Sequence, residues 1–115
     1  MTFQQTRIKA AEKIGPPALE RLLKLAEIGG GGQVHRVALF LGACWNGKRH
    51  FDFYDFRGFD QQIGDDLMAV LEWHRLGNVD IGNMIPDAHT RIVGVLTAWG
   101  MYGDDQRGQA IAHDQ

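Results

Sequence analysis

Apolar residues recur at helical spacing through most of the chain, and clusters of glycine, proline and asparagine divide them into segments. From Thr2 to Ile14 they fall at Phe3, Ile8, Ala10, Ala11 and Ile14, with Lys and Arg on the other side, which predicts a first helix. Gly15-Pro16-Pro17 is expected to stop it, because proline gives no N–H to the helix ladder and restricts the residue before it. Pro17 suits the first turn of a second helix over residues 17–28. There Leu19, Leu22, Leu23, Leu25, Ala26 and Ile28 make an apolar stripe, and Glu20, Arg21, Lys24 and Glu27 a charged one.

Gly29 to Gly32 carry too much backbone entropy for a regular element and should separate helices. Val34, Val37, Ala38, Leu41, Cys44 and Trp45, widened by Leu39 and Phe40, predict a central, most buried helix over 33–46, stopped by Asn46-Gly47. From Phe51 to Phe59 the aromatics Phe51, Phe53, Tyr54, Phe56 and Phe59 alternate with Asp52, Asp55 and Arg57 and fit neither period. A short strand pair or an aromatic-anchored turn is expected. Asp60 is placed to cap a helix over 60–76 with Ile63, Leu67, Val70, Leu71 and His74 on its apolar side, ended by Gly77-Asn78. Asp87 is placed to cap a last helix over 87–99, burying Ile92, Val95, Leu96 and Trp99 and turning Arg91 and Thr97 outward.

The expected fold is therefore mainly α: a compact bundle of four to five helices with one irregular aromatic-rich segment. It is read as one domain over 1–115, with 100–115 as a flexible tail. No internal repeat of useful length and no sustained heptad is visible.

Composition narrows the function more than it defines it. Twelve Lys and Arg against 14 Asp and Glu leave a net charge of -2, and the densest basic stretch is Lys48-Arg49-His50. A nucleic-acid face usually gathers more positive charge, so a binder using Arg7, Lys9 and Lys13 is the least favoured class. The single cysteine, Cys44, excludes an internal disulfide framework and fits a reducing compartment, so the expected location is cytoplasmic. No sorting signal or membrane span is read at Met1-Thr2-Phe3-Gln4-Gln5. Serine is absent, which removes serine catalysis.

The acidic stretch offers His50, Asp52, Asp55 and Asp60, with Asp65 and Asp66 further on, as hard oxygen and imidazole groups. An EF-hand is not formed, since oxygen ligands do not alternate from Asp52 and position twelve is Ile63. The five histidines include no i, i+4 pair of the metal-binding kind. Gly29 to Gly32 continue into Gln-Val-His and follow a helix, unlike a P-loop. Cys44 falls on an apolar stripe and reads as a packed thiol. No cofactor is implied.

The run Gly32-Gln33-x-x-Arg36-Val37-Ala38-x-Phe40-Leu41, then Trp45-Asn46, Phe51-Asp52-x-x-Asp55, Asp60, Ile63 and Asp66, resembles an uncharacterised family of small bacterial proteins. Those proteins are often carried on proteobacterial plasmids and other mobile elements. The resemblance covers about residues 18 to 75, with a looser echo at Pro86-Asp87 and Trp99. It departs at a single Trp where a pair is usual, and at Arg57-Gly58 where another Trp stands. The resemblance implies no activity, but it singles out Gln33, Arg36, Asn46, Asp52 and Asp55, to which Tyr54 is added. Two readings stay open: an internal network in which Arg36 meets Asp52 or Asp55 while Asn46 ties down the next turn, or a recognition surface. The functional expectation is an accessory protein of a mobile element that binds another protein, for example to inhibit a host defence system. The alternatives are a metal-dependent hydrolase using His50, Asp52, Asp55 and Asp60, and a helical nucleic-acid binder. A homo-oligomer is left open.

Overall fold

The computed structural model describes residues 2–101, so the expected tail lies outside the described residues from position 102 onward. Four α-helices carry the chain: α1 (Phe3–Ile28), α2 (Gly32–Trp45), α3 (Gln61–Gly77) and α4 (Ala88–Ala98). Two short 3-10 turns, Phe53–Gly58 and Ile81–Asn83, join the later helices. The expected helical fold is found. The short strand pair is not, because among the described residues there is no strand and the aromatic segment forms the first 3-10 turn.

The expected break at Gly15-Pro16-Pro17 is also corrected, because α1 is one helix of 26 residues that contains both prolines. A proline inside a helix costs about 3 kcal/mol through its missing N–H and its clash with the preceding turn. The buried positions of α1, Ala11, Gly15, Ala18, Leu19, Leu22, Leu23 and Ala26, form one stripe that passes through the proline site without a change of phase. At that site Trp73 of α3 lies against Gly15, where a Cβ would come within 2.6 Å of Trp73 Cε3. Gly77 lies as close to the same ring, since a Cβ there would come within 2.8 Å of Trp73 Cδ1. Burial of α1 on both sides of the prolines offsets their cost, and the glycine admits the indole. The stripe that the sequence assigned to the first half is shifted accordingly, leaving Phe3 and Ile14 exposed and Ala11 buried.

Helices α1 and α3 run antiparallel and are tied by ions near both ends. Arg7 Nη2 donates to Glu72 Oε2 at 2.7 Å, and Arg21 grips both oxygens of the buried Asp66 at 2.8 and 3.0 Å. Gln62 Nε2 donates to the same carboxylate at 3.0 Å. Arg91 does not turn outward as expected. It is half-buried and bridges α4 to α1, donating to Glu20 at 2.8 Å and to both oxygens of Glu27 at 2.8 and 2.9 Å.

The glycine run separates α1 from α2 as expected, with Gly29, Gly30 and Gly31 all at positive φ, a backbone that other residues rarely adopt. Helices α2 and α4 then pair antiparallel through two reciprocal contacts. His35 stacks on Trp99 at 5.0 Å at one end, and Trp45 Nε1 donates to His89 Nδ1 at 3.1 Å at the other. His74, expected on the apolar side of α3, is instead exposed, with its Nδ1 2.8 Å from the Val79 carbonyl. Asp60 and Asp87 occupy the N-cap positions, but neither side chain makes a cap hydrogen bond. The core between the helices includes Leu19, Leu22, Leu23, Val37, Leu41, Leu67, Val70, Ile92 and Leu96.

Two outcomes follow from this packing. Gly15→Ala should lower stability by about 2 kcal/mol through the clash with Trp73, although alanine is the better helix former. Chemical denaturation measures it, and an unchanged or raised midpoint would contradict the close seat of the indole. Hydrogen bonds from Arg91 lower the pKa of Glu20 and of Glu27 against their ordinary value. A lowered folded-state pKa gives stability that is present above the unfolded value, about 4.3, and is lost as pH falls through the folded one. Arg91→Met should therefore flatten the acid limb of melting temperature against pH below that value.

Candidate functional site

The polar residues singled out by the sequence gather where α2 meets the 3-10 turn Phe53–Gly58. The turn is built locally: Asp52 Oδ1 accepts from the Tyr54 amide at 2.9 Å, and the Asp52 carbonyl accepts from the Asp55 amide at 2.9 Å. Half-buried aromatics then fix it to α2. Phe51 and Phe56 pack edge-on against the buried Phe40 at 5.6 and 6.2 Å, and Phe59 stacks on Phe51 at 6.3 Å. Phe53 and Tyr54, at the start of the turn, are left 76% and 70% exposed.

Side chains from the first turns of α2 close the arrangement. Gln33 Nε2 donates to Asp60 Oδ2 at 3.3 Å, and Gln33 Oε1 accepts from the Asp60 amide, which ties the start of α2 to the start of α3. The Asp60 carboxylate is thereby spent on Gln33 instead of on its own helix. Arg36 Nε lies 4.0 Å from Asp55 Oδ1, an ion contact outside hydrogen-bond distance. Asn46 Oδ1 accepts from the Lys48 amide at 3.0 Å and so ties down the turn after α2.

Of the sequence-selected residues, Gln33, Asn46, Asp52 and Asp60 thus hold backbone in place, whereas Arg36, Tyr54 and Asp55 line one open cleft of about 350 Å³. Arg57 and Gly58 complete its lining, with the Arg57 guanidinium 4.9 Å from the Tyr54 ring centroid. Arg57 is not among the residues that the sequence singles out; it stands there among the aromatics and, with Gly58, where the resembling family has a Trp. His50, Asp52, Asp55 and Asp60 do not converge as a metal centre, since among the described residues no group of three or more His, Cys, Asp and Glu side chains is placed to hold an ion. Arg7, the first residue of the basic set on α1, is engaged by Glu72.

A second cleft, of about 260 Å³, brings Cys44, Trp45, Asp80, Asn83 and His89 together. Cysteine, histidine and a carboxylate are the materials of thiol catalysis, but the thiolate has to be accessible at neutral pH. Burial alone pushes the Cys44 thiol up to about 12, with no histidine contributing to lower it, and His89 Nδ1 is taken by Trp45. The group is a packed thiol beside an aromatic latch.

The fold and the first cleft define a mainly helical protein in which a polar network braces an aromatic turn and presents its outer face. The chain belongs to the family of unknown function DUF7673, matched over residues 16–100. The match takes in α2, the turn, α3 and α4 and leaves the first half of α1 outside. No curated protein and no solved structure matches the chain. Among the described residues, no helix is long and apolar enough to cross a membrane.

The state of Cys44 is directly measurable. Alkylation by iodoacetamide at pH 8 should be at least about a hundredfold slower in the native protein than in denaturant, because the thiolate fraction is that much smaller. Equal rates would mean that the thiol is not held neutral.

Proposed function

We propose that the protein works by binding another protein through the outer face of the Phe53–Gly58 turn. The observation that carries the reading is the pair Phe53 and Tyr54, two large aromatics left exposed on a turn whose remaining aromatics anchor it to the core. Tyrosine, arginine and other large side chains that can be fully desolvated supply most binding energy at protein interfaces. Here Tyr54 stands together with Arg36 and Arg57 at one open cleft, and Phe53 lines a separate one with Phe40 and Phe51. Among the described residues no comparable convergence of groups supports a metal-dependent hydrolase or a nucleic-acid binder.

The concrete form of this proposal is an accessory protein of a bacterial mobile element, such as an inhibitor of a host defence system. The motif pattern of residues 32–66 supports that setting, and the absence of an activated nucleophile in the second cleft agrees with action by binding.

Capture from bacterial lysate with the wild type and with a Phe53→Ala, Tyr54→Ala double variant tests the reading. The wild type should recover a specific partner that the variant recovers about tenfold less, since loss of such anchors costs upwards of 1 kcal/mol each. The variant's melting temperature should stay within about 2 °C, because both side chains are on the surface. Equal recovery by both proteins, or repeated recovery of no specific partner, would count against it.

A further inference from the structure

The described residues include seven arginines, and their guanidinium groups fall into two sets. Arg7 and Arg75 donate to Glu72, Arg21 to Asp66, Arg91 to Glu20 and Glu27, and Arg49 to the Met101 carbonyl. Arg36 and Arg57 donate no hydrogen bond to any described residue. Arg36 has the 4.0 Å contact with Asp55, and Arg57 has the face of the Tyr54 ring. A guanidinium carries five N–H donors and is ordinarily supplied with acceptors wherever a carboxylate is in reach. Among the described residues the two that are not so supplied line the same cleft.

The cleft is also shaped around these two groups. Stacking on Tyr54 holds Arg57 by a cation–π contact that leaves its in-plane donors free. Gly58 gives Arg36 its seat, since a Cβ there would come within 3.2 Å of Arg36 Nη1. Two guanidinium groups set against the single carboxylate of Asp55 leave one positive charge without a counterpart. A monoanion balances it. A dianionic phosphate would overshoot that balance and meet the repulsion of Asp55. A carboxylate has two oxygens in one plane and unit charge, and it matches the arginine fork.

We infer that the cleft formed by Arg36, Tyr54, Asp55, Arg57 and Gly58 binds one carboxylate, presented by a glutamate or aspartate side chain of the partner protein. The source of the carboxylate rests on the protein-binding reading above; the anion site itself does not. The aromatics Phe53 and Tyr54 supply apolar contact, and the paired arginines set which residue stands beside it. The acidic side chain fixes register on the partner, so the arginines act on specificity as well as affinity.

The test is a titration of the isotopically labelled protein with N-acetyl-glutamate amide at constant ionic strength, following the Arg36 and Arg57 Nε–Hε resonances by NMR. Inorganic phosphate and chloride are titrated in parallel. Both arginine resonances should move saturably with the capped glutamate, and Arg36→Gln or Arg57→Gln should weaken that binding about tenfold, the usual worth of a charge-assisted hydrogen bond. Tighter saturation by phosphate would overturn the carboxylate assignment, and equal, unsaturable shifts with all three anions would overturn the site. Capture with the same two variants separates this inference from the proposed function. A partner retained by Arg36→Gln and Arg57→Gln but lost by the aromatic variant overturns the carboxylate contact alone. Saturable glutamate binding without any recovered partner sustains the site and overturns the protein as its source.

Discussion

The seat of Trp73 between Gly15 and Gly77 is the constraint on which the rest of the structure depends. It lies at the one place where α1 should fail, and the close approach it requires is available only because position 15 has no side chain. With α1 continuous through Pro16 and Pro17, its second half presents Leu19, Leu22, Leu23 and Ala26 to the core in register with the first half. Glu20 and Glu27 then reach Arg91, which positions α4, and α4 in turn holds α2 through the two histidine–tryptophan pairs. A break at residue 15 would free the angle of α1 and with it the geometry of each later contact. The ion ties have the same directional character. Arg21 and Asp66 make a bidentate pair with one partner buried, and such a pair specifies an arrangement more than it adds net stability.

Much of this was legible in the sequence because periodicity reports what a helix buries. The spans of α2, α3 and α4 fall within a residue or so of their expected limits, and the glycine run separates helices as its backbone freedom requires. At Gly15-Pro16-Pro17 the local cost of two prolines predicts a break, but that cost is not decisive. The offset comes from burial of α1 against distant helices, including Trp73 nearly sixty residues away in sequence, and no local pattern reports it. Arg91 is expected to face outward because charged residues usually do, yet its partners lie on another helix. The reciprocal pairs have a trace in the sequence, since His35 to Trp45 and His89 to Trp99 have the same spacing. Only antiparallel packing of α2 on α4 gives that coincidence a meaning.

The candidate site divides in the same way. Gln33, Arg36, Asn46, Asp52 and Asp55 stand out as a polar set through the family resemblance, and Asp60 through its place before a helix. Their division into braces and cleft does not, because it turns on distances. Four of them satisfy backbone groups or each other, and Arg36 with Asp55 stops at 4.0 Å. In the sequence Arg57 and Gly58 are a departure from the family pattern within an aromatic segment. In the structure they supply the second guanidinium and the space that seats the first.

The bracing and the open face are parts of one device. Binding by a loose aromatic loop loses affinity to the entropy of ordering it, at about 0.5–1.5 kcal/mol for each immobilised side chain. Here Phe51, Phe56 and Phe59 are already fixed against Phe40, Asp52 fixes the turn, and the Gln33–Asp60 tie fixes its far end. Phe53 stacks on Phe56 at 6.0 Å, and Tyr54 lies under Arg57, so even the exposed rings have neighbours that limit their motion. On the proposed protein-binding reading, the polar network is therefore both strut and recognition device: the half-buried aromatics hold the exposed ones in the conformation in which they would meet a partner.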